Sequence, residues 1–287
     1  MKKIGFVDYY ISEWHANNYP KWIEEASERL GVDYKVAYAW AELDKSLRYD
    51  ETTDQWCERF GVEKCETLDE LCEKSDVIVI LAPSDPEKHL GYAEKVLKYG
   101  KRTYIDKTFS PDLATAKAIF DIAKKHNTPF FSTSALRYGE ELDTSFDCRE
   151  IIVTGSGSNL PEYIVHEAEM VVKKLGLGAE KIKAEQYGTQ THFHILYGDG
   201  RNATMIFAPS IPFTVYMSDG GVEKPVYKTV SSPFFVHLIS DIIRFFEEGS
   251  VSFDINETLE VMKLREGAVK ATEQIGVWLS LAELENK

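Results

Sequence analysis

Apolar residues along the first half of the chain form short runs that alternate with longer amphipathic segments. The runs are rich in β-branched and aromatic residues, which predicts strands at 4–7, 33–40, 76–81, 102–105 and 129–132. Apolar positions at helical spacing predict helices at 14–30, 67–74, 86–99 and 111–126. Regular alternation of strands and helices predicts an α/β fold with a doubly wound parallel sheet, the Rossmann-like architecture.

The second half of the chain has a different order of elements. Strands are predicted at 151–154, within 181–207 and within 212–230, with a hairpin corner at 197–200. Helices are predicted at 161–175, 233–248 and 257–274. This order predicts an α+β domain with a mainly antiparallel sheet. We therefore place a Rossmann-like domain at 1–135 and an α+β domain at 136–287.

Charge and cysteine content narrow the classes of protein that fit. The 287 residues carry a net charge of −14, which argues against nucleic acid or an anionic membrane as a partner, since both require a positive surface. The apolar runs fall short of the roughly 20 residues of a membrane span, and the first strand is too short for a signal peptide. The four cysteines form no C-x-x-C pair, so we expect reduced thiols and a cytoplasmic protein.

Several short motifs together resemble those of the Gfo/Idh/MocA oxidoreductases. They are S-D-V-I-V-I-L-A-P at 75–83, His89, Gly100-Lys101, Asp106-Lys107-Thr108 in the place of E-K-P, Glu162-x-x-x-His166 and Leu175-Gly176. The resemblance implies that the first domain binds NAD or NADP. It also implies that the second domain holds a sugar, inositol or related polyol and forms a homo-oligomer, a dimer or a tetramer.

The corner after the first strand departs from the dinucleotide-binding pattern. This corner is 5–13, G-F-V-D-Y-Y-I-S-E, where the pattern requires G-x-G-x-x-G. The three glycine positions are occupied by Asp8, Tyr10 and Glu13. A carboxylate ~4 Å from a phosphate repels it by about 4 kcal/mol at an effective dielectric constant of 20. Ser12 and Glu13 are also residue types that cap a helix without help from phosphate.

The residues expected at the cofactor belong to this corner and to the strand ends of the first sheet. They are Asp8, Tyr9, Tyr10, Ile11, Trp40, Glu42, Ala82, Pro83, His89 and Asp106. Glu42, two residues beyond Trp40, is placed to hold the adenosine ribose, which favours NAD over NADP. The aromatic residues of this set are alternatively suited to stack on adenine or on a different ligand.

Three residues are candidates for catalysis. Lys107 follows a predicted strand and therefore lies at the carboxyl edge of the sheet, where ligands bind in open α/β folds. His166 and Glu162 are four residues apart and share one helix face, and a histidine can take a hydroxyl proton near neutral pH. The resemblance gives Lys107 a contact with cofactor and substrate hydroxyl, and Glu162 a role either in orienting His166 or in holding a substrate hydroxyl. The alternatives are a solvated lysine and an ordinary His–Glu pair.

Other polar and aromatic residues favour structural roles. His192 and His194 point to one face of a strand, without a third ligand nearby in sequence, so a sheet surface or subunit contact is favoured over zinc. No metal site is expected. Together with Tyr187 and Phe207 they mark the sheet face predicted to pair between subunits. Trp14-His15 either lines the cleft or packs the helix onto the sheet.

Three hypotheses follow from the sequence. The first is an NAD(P)-dependent dehydrogenase acting on a sugar, inositol or polyol, and it is favoured by Lys107 and His166. The second is a non-catalytic binding or regulatory relative, favoured by Asp8, Tyr10 and Glu13. The third is a lyase or hydrolase that uses tightly held NAD.

Overall fold

Two compact units make up the protein, and the computed structural model describes residues 1–221 and 224–285. The first unit comprises Met1–Pro111, Thr115–Thr133 and Phe235–Ser252. The second comprises Asp112–Ala114, Ser134–Phe234 and Phe253–Lys287. The predicted division at residue 135 is close to the point where the chain passes into the second unit. Nothing in the sequence pattern indicated that 235–252 returns to the first.

The first unit contains a six-stranded parallel sheet in the order β3-β2-β1-β4-β5-β6. Its strands are β1 (Lys2–Asp8), β2 (Tyr34–Ala41), β3 (Glu63–Lys64), β4 (Val77–Ile80), β5 (Thr103–Ile105) and β6 (Phe130–Phe131). The intervening helices are α1 (Trp14–Leu30), α2 (Thr53–Phe60), α3 (Leu68–Lys74), α4 (His89–Val96) and α5 (Leu113–His126). Short 3₁₀ turns at Pro86–Lys88 and Leu97–Tyr99 flank α4.

Local signals explain where these helices begin and end. Gly31 and Gly61 terminate α1 and α2 in the left-handed conformation, which glycine adopts without a steric penalty. Thr52 and Gln55 form a capping box at the start of α2, in which each side chain accepts a hydrogen bond from the other's backbone. Apolar periodicity did not indicate α2, although this box is readable in the sequence.

The second unit contains a seven-stranded sheet in the order β12-β11-β7-β10-β9-β8-β13. Its strands are β7 (Glu150–Gly155), β8 (Ala179–Tyr187), β9 (Gln190–Tyr197), β10 (Asn202–Phe207), β11 (Thr214–Ser218), β12 (Val226–Thr229) and β13 (Leu279–Ser280). Neighbouring strands are antiparallel except for β7 and β10. The helices are α6 (Leu160–Leu175), α8 (Asn256–Ala271) and α9 (Ala282–Glu285), with 3₁₀ turns at Ala135–Tyr138 and Glu140–Leu142.

The helix α7 (Phe234–Glu248) lies almost entirely in the first unit. The Phe245 ring meets Phe131 edge-on at 4.9 Å between centroids, and Phe246 lies 6.0 Å from Tyr34. Both phenylalanines are buried, so this helix completes the apolar core on one face of the parallel sheet.

The predicted fold class is confirmed: a Rossmann-like parallel sheet is followed by a unit with a mainly antiparallel sheet. Cys57, Cys65, Cys72 and Cys148 are buried free thiols. Burial raises the pKa of Cys65 to about 11, which makes that thiol a weak nucleophile. Among the helices of residues 1–221 and 224–285, none is long and apolar enough to cross a membrane.

Candidate functional site

The carboxyl edge of the first sheet begins with Asp8, the last residue of β1. Its Oδ1 accepts hydrogen bonds from the backbone N–H groups of Tyr9 at 2.7 Å and Ala82 at 3.0 Å. Its Oδ2 has no hydrogen-bond partner within the described parts of the chain. Burial and the neighbouring Glu13 carboxyl raise the pKa of Asp8 well above its usual value. In the described part of the chain, the partners of the Asp8 carboxyl group are therefore backbone N–H groups and not a cationic side chain.

Glu13 is the N-cap of α1. Its carboxylate accepts hydrogen bonds from the backbone N–H groups of His15, at 2.8 Å, and Ala16. The side chain is buried, and burial raises its pKa although His15 and the two amides act in the opposite direction. The expected capping by Glu13 is therefore present in the structure, and the first donors of α1 are occupied by the chain itself.

Hydrogen-bond donors surround the carboxylate of Asp106, which lies just beyond β5. Its carboxylate pairs with His15 Nδ1, lies 3.3 Å from the Tyr19 hydroxyl and 3.2 Å from the Tyr104 hydroxyl, and accepts from the Lys107 backbone N–H at 2.9 Å. Burial disfavours the ionised form, but His15 and Lys107 more than offset it, and the pKa of Asp106 is lowered. His15 therefore packs within the unit as the partner of Asp106, a pairing that the sequence did not reveal.

Tyr10 and Ile11 are buried at the same corner. The Tyr10 hydroxyl accepts from Arg48 Nε at 3.1 Å, and Ile11 provides the backbone oxygen that accepts from the Glu13 N–H. Burial raises the pKa of Tyr10, so it remains a neutral phenol. Ser12 Oγ donates to Glu51 at 2.5 Å, and thus the segment after β2 is tied to the corner. The periodicity of the sequence did not indicate that Arg48 would contact Tyr10 at this corner.

The residues expected at the adenosine ribose form a network of their own. Glu42 accepts from Lys88 Nζ at 2.8 Å and from the Tyr92 hydroxyl at 2.7 Å, and the pKa of Glu42 is lowered mainly by Lys88. Lys88 also lies 4.1 Å from the centre of the Tyr9 ring, a cation–π contact. Trp40 meets Tyr92 edge-on at 6.0 Å. Glu42 itself remains exposed to solvent.

His89 and Pro83 connect the segments that follow β4 and β5. The two ring nitrogens of His89 lie 3.0 Å from the Phe109 carbonyl oxygen and 2.5 Å from that of Leu81. The ring is fully buried, and burial lowers its pKa. The Pro83 carbonyl accepts from the Thr108 N–H at 3.3 Å. These contacts are structural ties between loops at the carboxyl edge.

Lys107 lies at this edge, one residue beyond Asp106. Its side chain is partly exposed, and its backbone is held through the hydrogen bond to Asp106. The predicted position of Lys107 at the carboxyl edge of the parallel sheet agrees with the structure, because β5 ends at Ile105.

In the second unit, α6 carries the other two catalytic candidates. Asn159 caps α6 and accepts from the Glu162 N–H at 2.9 Å, while the Glu162 carboxylate accepts from the Asn159 side chain at 3.0 Å. His166 Nδ1 lies 2.6 Å from Ser134 Oγ. The rings of Tyr163 and Phe213 flank His166, with centroids 5.7 and 5.8 Å away. Sequence reasoning missed Ser134, which lies 32 positions before the histidine.

A buried arginine anchors the region behind His166. Arg137 pairs with Glu169 and, at 2.6 Å, with Glu257, and its guanidinium lies 4.2 Å from the Phe253 ring centre. Glu169 also accepts from the Ser134 N–H at 3.1 Å. Burial disfavours the charged arginine, but the two glutamates more than offset it and raise the pKa of Arg137. The same acid thus fixes the Ser134 backbone and the arginine.

Glu167 is the exception among the buried acids of α6. Neither of its carboxyl oxygens has a hydrogen-bond partner within the described residues, and the side chain is fully buried. Burial raises the pKa of Glu167 to about 8. Gly155 makes room for this carboxyl group, since a Cβ there would come within 2.6 Å of Glu167 Cδ. Glu167 is therefore mainly a neutral acid at pH 7.

His192 and His194 lie on β9, on the partly exposed face of the second sheet. His194 Nε2 is 3.6 Å from the Glu185 carboxylate, and burial lowers the pKa of His192. Within residues 1–221 and 224–285, no group of three or more His, Cys, Asp or Glu side chains has the arrangement of a metal site.

The resemblance implies a nicotinamide dinucleotide at the α1 corner, where a diphosphate needs backbone N–H groups to bind it. Two N–H groups in the first turn of α1, those of His15 and Ala16, are already bonded to Glu13. Asp8 takes two more, those of Tyr9 and Ala82, and adds a buried acid. The residues at this corner therefore do not fit a diphosphate in the arrangement that the structure shows.

Comparisons with known proteins find similarity in part of the sequence. Residues 39–134 match the model of GFO_IDH_MocA, described as an oxidoreductase family with an NAD-binding Rossmann fold. A 57-residue segment is 37% identical to YhhX, an uncharacterized oxidoreductase of Escherichia coli (strain K12). That segment is 20% of this chain and only 16% of the curated relative.

Solved structures share the fold over the whole chain. A probable dehydrogenase from Thermotoga maritima superposes with a TM-score of 0.81 at 12% identity, covering 98% of this chain and 99% of that one. GenD2 from gentamicin A biosynthesis, in complex with NAD, gives 0.77 at 13% identity over 98% and 97%. An apo scyllo-inositol dehydrogenase from Lactobacillus casei gives 0.76 at 13% identity over 98% of each chain.

The family match agrees with the predicted resemblance, and the solved structures confirm the predicted fold. The match lies outside the altered corner, which ends at residue 13, and includes the A-P pair, His89 and Lys107. Residues 39–134 therefore match the family that the sequence motifs resemble, the Gfo/Idh/MocA oxidoreductases with their NAD-binding Rossmann fold.

Proposed function

We propose that the protein is an oxidoreductase acting on a hydroxyl group of a sugar, inositol or related polyol, with NAD or NADP as its cofactor. Lys107, His166 and Glu162 are the residues to which we assign catalysis, and the cytoplasm is the proposed compartment. The observation that carries the proposal is the fixed orientation of His166 by Ser134, at 2.6 Å.

The Ser134 contact supports a base role for His166. A hydrogen bond at Nδ1 sets the plane of the ring and favours one tautomer, so that Nε2 is the nitrogen assigned to proton transfer. Ser134 is in turn fixed by its backbone N–H, which donates to Glu169. When the partner of a catalytic group is itself fixed by a further hydrogen bond, the catalytic group is held in one geometry.

Lys107 supports the same proposal from the first unit. An ammonium group at the carboxyl edge of a parallel sheet is suited to polarise a hydroxyl oxygen, which lowers the free energy needed to remove its proton. The hydrogen bond from its backbone to Asp106 fixes the start of the side chain.

The substrate class is supported by the chemistry of these groups and by what similar folds act on. A lysine and a histidine are one donor and one base, the pair that oxidation of a secondary alcohol requires. One protein with the same fold is a scyllo-inositol dehydrogenase. A small polyhydroxylated molecule is therefore the proposed substrate.

Turnover of a panel of inositols, sugars and polyols tests the proposal. With NAD⁺ or NADP⁺, formation of reduced nicotinamide is expected for at least one compound. Lys107→Ala and His166→Ala should each lower kcat by about 10²- to 10⁴-fold. Lys125→Ala and His126→Ala, at the end of α5, are matched controls that should leave kcat unchanged. Binding of a polyol without turnover by any cofactor would instead support the non-catalytic alternative.

We also propose a homo-oligomer, a dimer or tetramer, that pairs through the second sheet. Tyr187, His192 and His194 lie on one face of this sheet, and Tyr187 is 56% exposed there, which supports the proposal. The expectation that Phe207 shares this face is wrong, because Phe207 pairs with Thr191 and therefore lies on the opposite face. Light scattering at micromolar concentration tests it, and a monomer would contradict it.

A further inference from the structure

The corner between β1 and α1 is closed by the chain's own acids. Glu13 accepts from the N–H groups of His15 and Ala16 in the first turn of α1. Asp8 accepts from the N–H groups of Tyr9, the next residue, and of Ala82, beyond the end of β4. Their side chains are 4% and 1% exposed, so neither is an incidental surface group. The donors that elsewhere bind an anion are satisfied internally here.

A second observation distinguishes this corner from an ordinary capped helix. Asp8 Oδ2 is buried, and it has no hydrogen-bond partner among the residues that the structure describes. Asp8 Oδ1 already occupies the backbone N–H groups of Tyr9 and Ala82, so a phosphate meets a buried acid here instead of free donors. Asp8 and Glu13 therefore act in the same direction against an incoming anion.

We propose that Glu13 is an internal ligand of the cofactor corner, which a cofactor diphosphate must displace before it binds. Asp8 adds to this competition because it occupies two further backbone donors, the N–H groups of Tyr9 and Ala82. The corner is thus autoinhibited, and native affinity for the dinucleotide is weak. The inference rests on the proposed function only for the identity of the dinucleotide, because the competition itself concerns any diphosphate.

Displacement has a definite physical requirement. The Glu13 carboxylate must leave two backbone donors, and the diphosphate must then accept from the same donors. Removal of the carboxylate abolishes this exchange. The expected gain in diphosphate affinity is roughly 10- to 100-fold, the factor that corresponds to one or two hydrogen bonds to a charged group.

Calorimetric titration of the full-length protein with inorganic pyrophosphate and, separately, with NADH tests the inference. Glu13→Gly frees both donors and should bind pyrophosphate roughly 10- to 100-fold more tightly than the native protein. Glu13→Gln retains the cap but not the charge, and should show a smaller gain. Asp8→Gly should also tighten binding. Glu24→Gln, an exposed residue of the same helix, is the matched control and should change nothing.

The outcomes separate the inference from the proposed function. Equal pyrophosphate affinity of native and Glu13→Gly proteins overturns the inference. If Glu13→Gly does not fold, equal affinity of native and Glu13→Gln proteins overturns it instead. Tight native binding of NADH that no variant improves overturns the inference and leaves the proposed function in place. NADH bound by no variant overturns the proposed function, even where pyrophosphate binding improves as expected.

Discussion

Buried acids at the edge of the first sheet and on α6 are held in different ways. Asp106 lies among His15, two tyrosine hydroxyls and a backbone N–H. Glu169 instead depends on the guanidinium of Arg137 and one backbone N–H. Glu167, two residues away, has neither kind of partner in the described part of the chain. The pKa of Asp106 is lowered and that of Glu167 is raised although both are buried, so the donors around these two acids, more than burial alone, decide the direction of the shift.

The largest expected effect is the loss of Arg137. Replacing it with leucine leaves Glu169 and Glu257 without their cation, and should lower the free energy of unfolding by about 3–5 kcal/mol. Urea unfolding measures this. Lys173→Ala, which removes an exposed pair with Asp143, should lower it by less than about 1 kcal/mol. Equal losses in the two variants would mean that burial of the arginine pair is unimportant.

Glu167 should make stability depend on pH. Its pKa is about 8 in the folded protein and near 4.5 when unfolded, so folding takes up a proton between these values. Native stability should therefore fall as pH rises, by about 1.4 kcal/mol per pH unit, and level off above pH 8. Glu167→Gln should lack this slope, which gives a relative gain of about 2–3 kcal/mol between pH 6 and 8. Parallel urea curves for the two proteins at both pH values would contradict the assignment.

His15 provides the counterpart of Arg137 in the first unit. His15→Leu removes one of several donors of Asp106, and the expected loss is about 1–3 kcal/mol, smaller than for Arg137 because the remaining donors still solvate the carboxylate. Urea unfolding of the two variants under one condition compares them directly. A larger loss for His15→Leu would reverse the comparison.

The smallest effect is expected for Ser134. Ser134→Ala removes one hydrogen bond to His166 and should lower the free energy of unfolding by about 1 kcal/mol. The more specific readout is the nitrogen NMR spectrum of the imidazole, in which the tautomer ratio of His166 should move toward that of a free histidine. An unchanged ratio would remove Ser134 as a positioning residue.

The sequence was sufficient for the fold because strand and helix periods are local signals. The apolar run at Asp76–Leu81 and the ends at Gly31 and Gly176 mark elements whose observed limits agree within one or two residues. The helix α2 is short and more polar, so apolar periodicity did not reveal it, although Thr52 and Gln55 did carry its capping signal.

The candidate site was less accessible to sequence reasoning. The positions of Lys107 at a strand end and of Glu13 as a cap follow from neighbours in the chain. The partners Ser134 for His166 and His15 for Asp106 lie 32 and 91 positions away, and only the folded chain brings them together. Polar pairs between residues far apart in the chain produce no periodic pattern in a single sequence. The catalytic roles assigned to Lys107, His166 and Glu162 remain predictions.

The return of 235–252 to the first unit has a consequence for synthesis on the ribosome. The helix α7 supplies Phe245 and Phe246 to the core beneath β6 and β2, and its end is tied by Arg102 and Lys2. A nascent chain of 133 residues therefore has all six strands of the sheet but an uncovered apolar surface. This surface stays exposed while more than a hundred further residues are added, which makes the growing chain a natural client for chaperones that bind apolar segments.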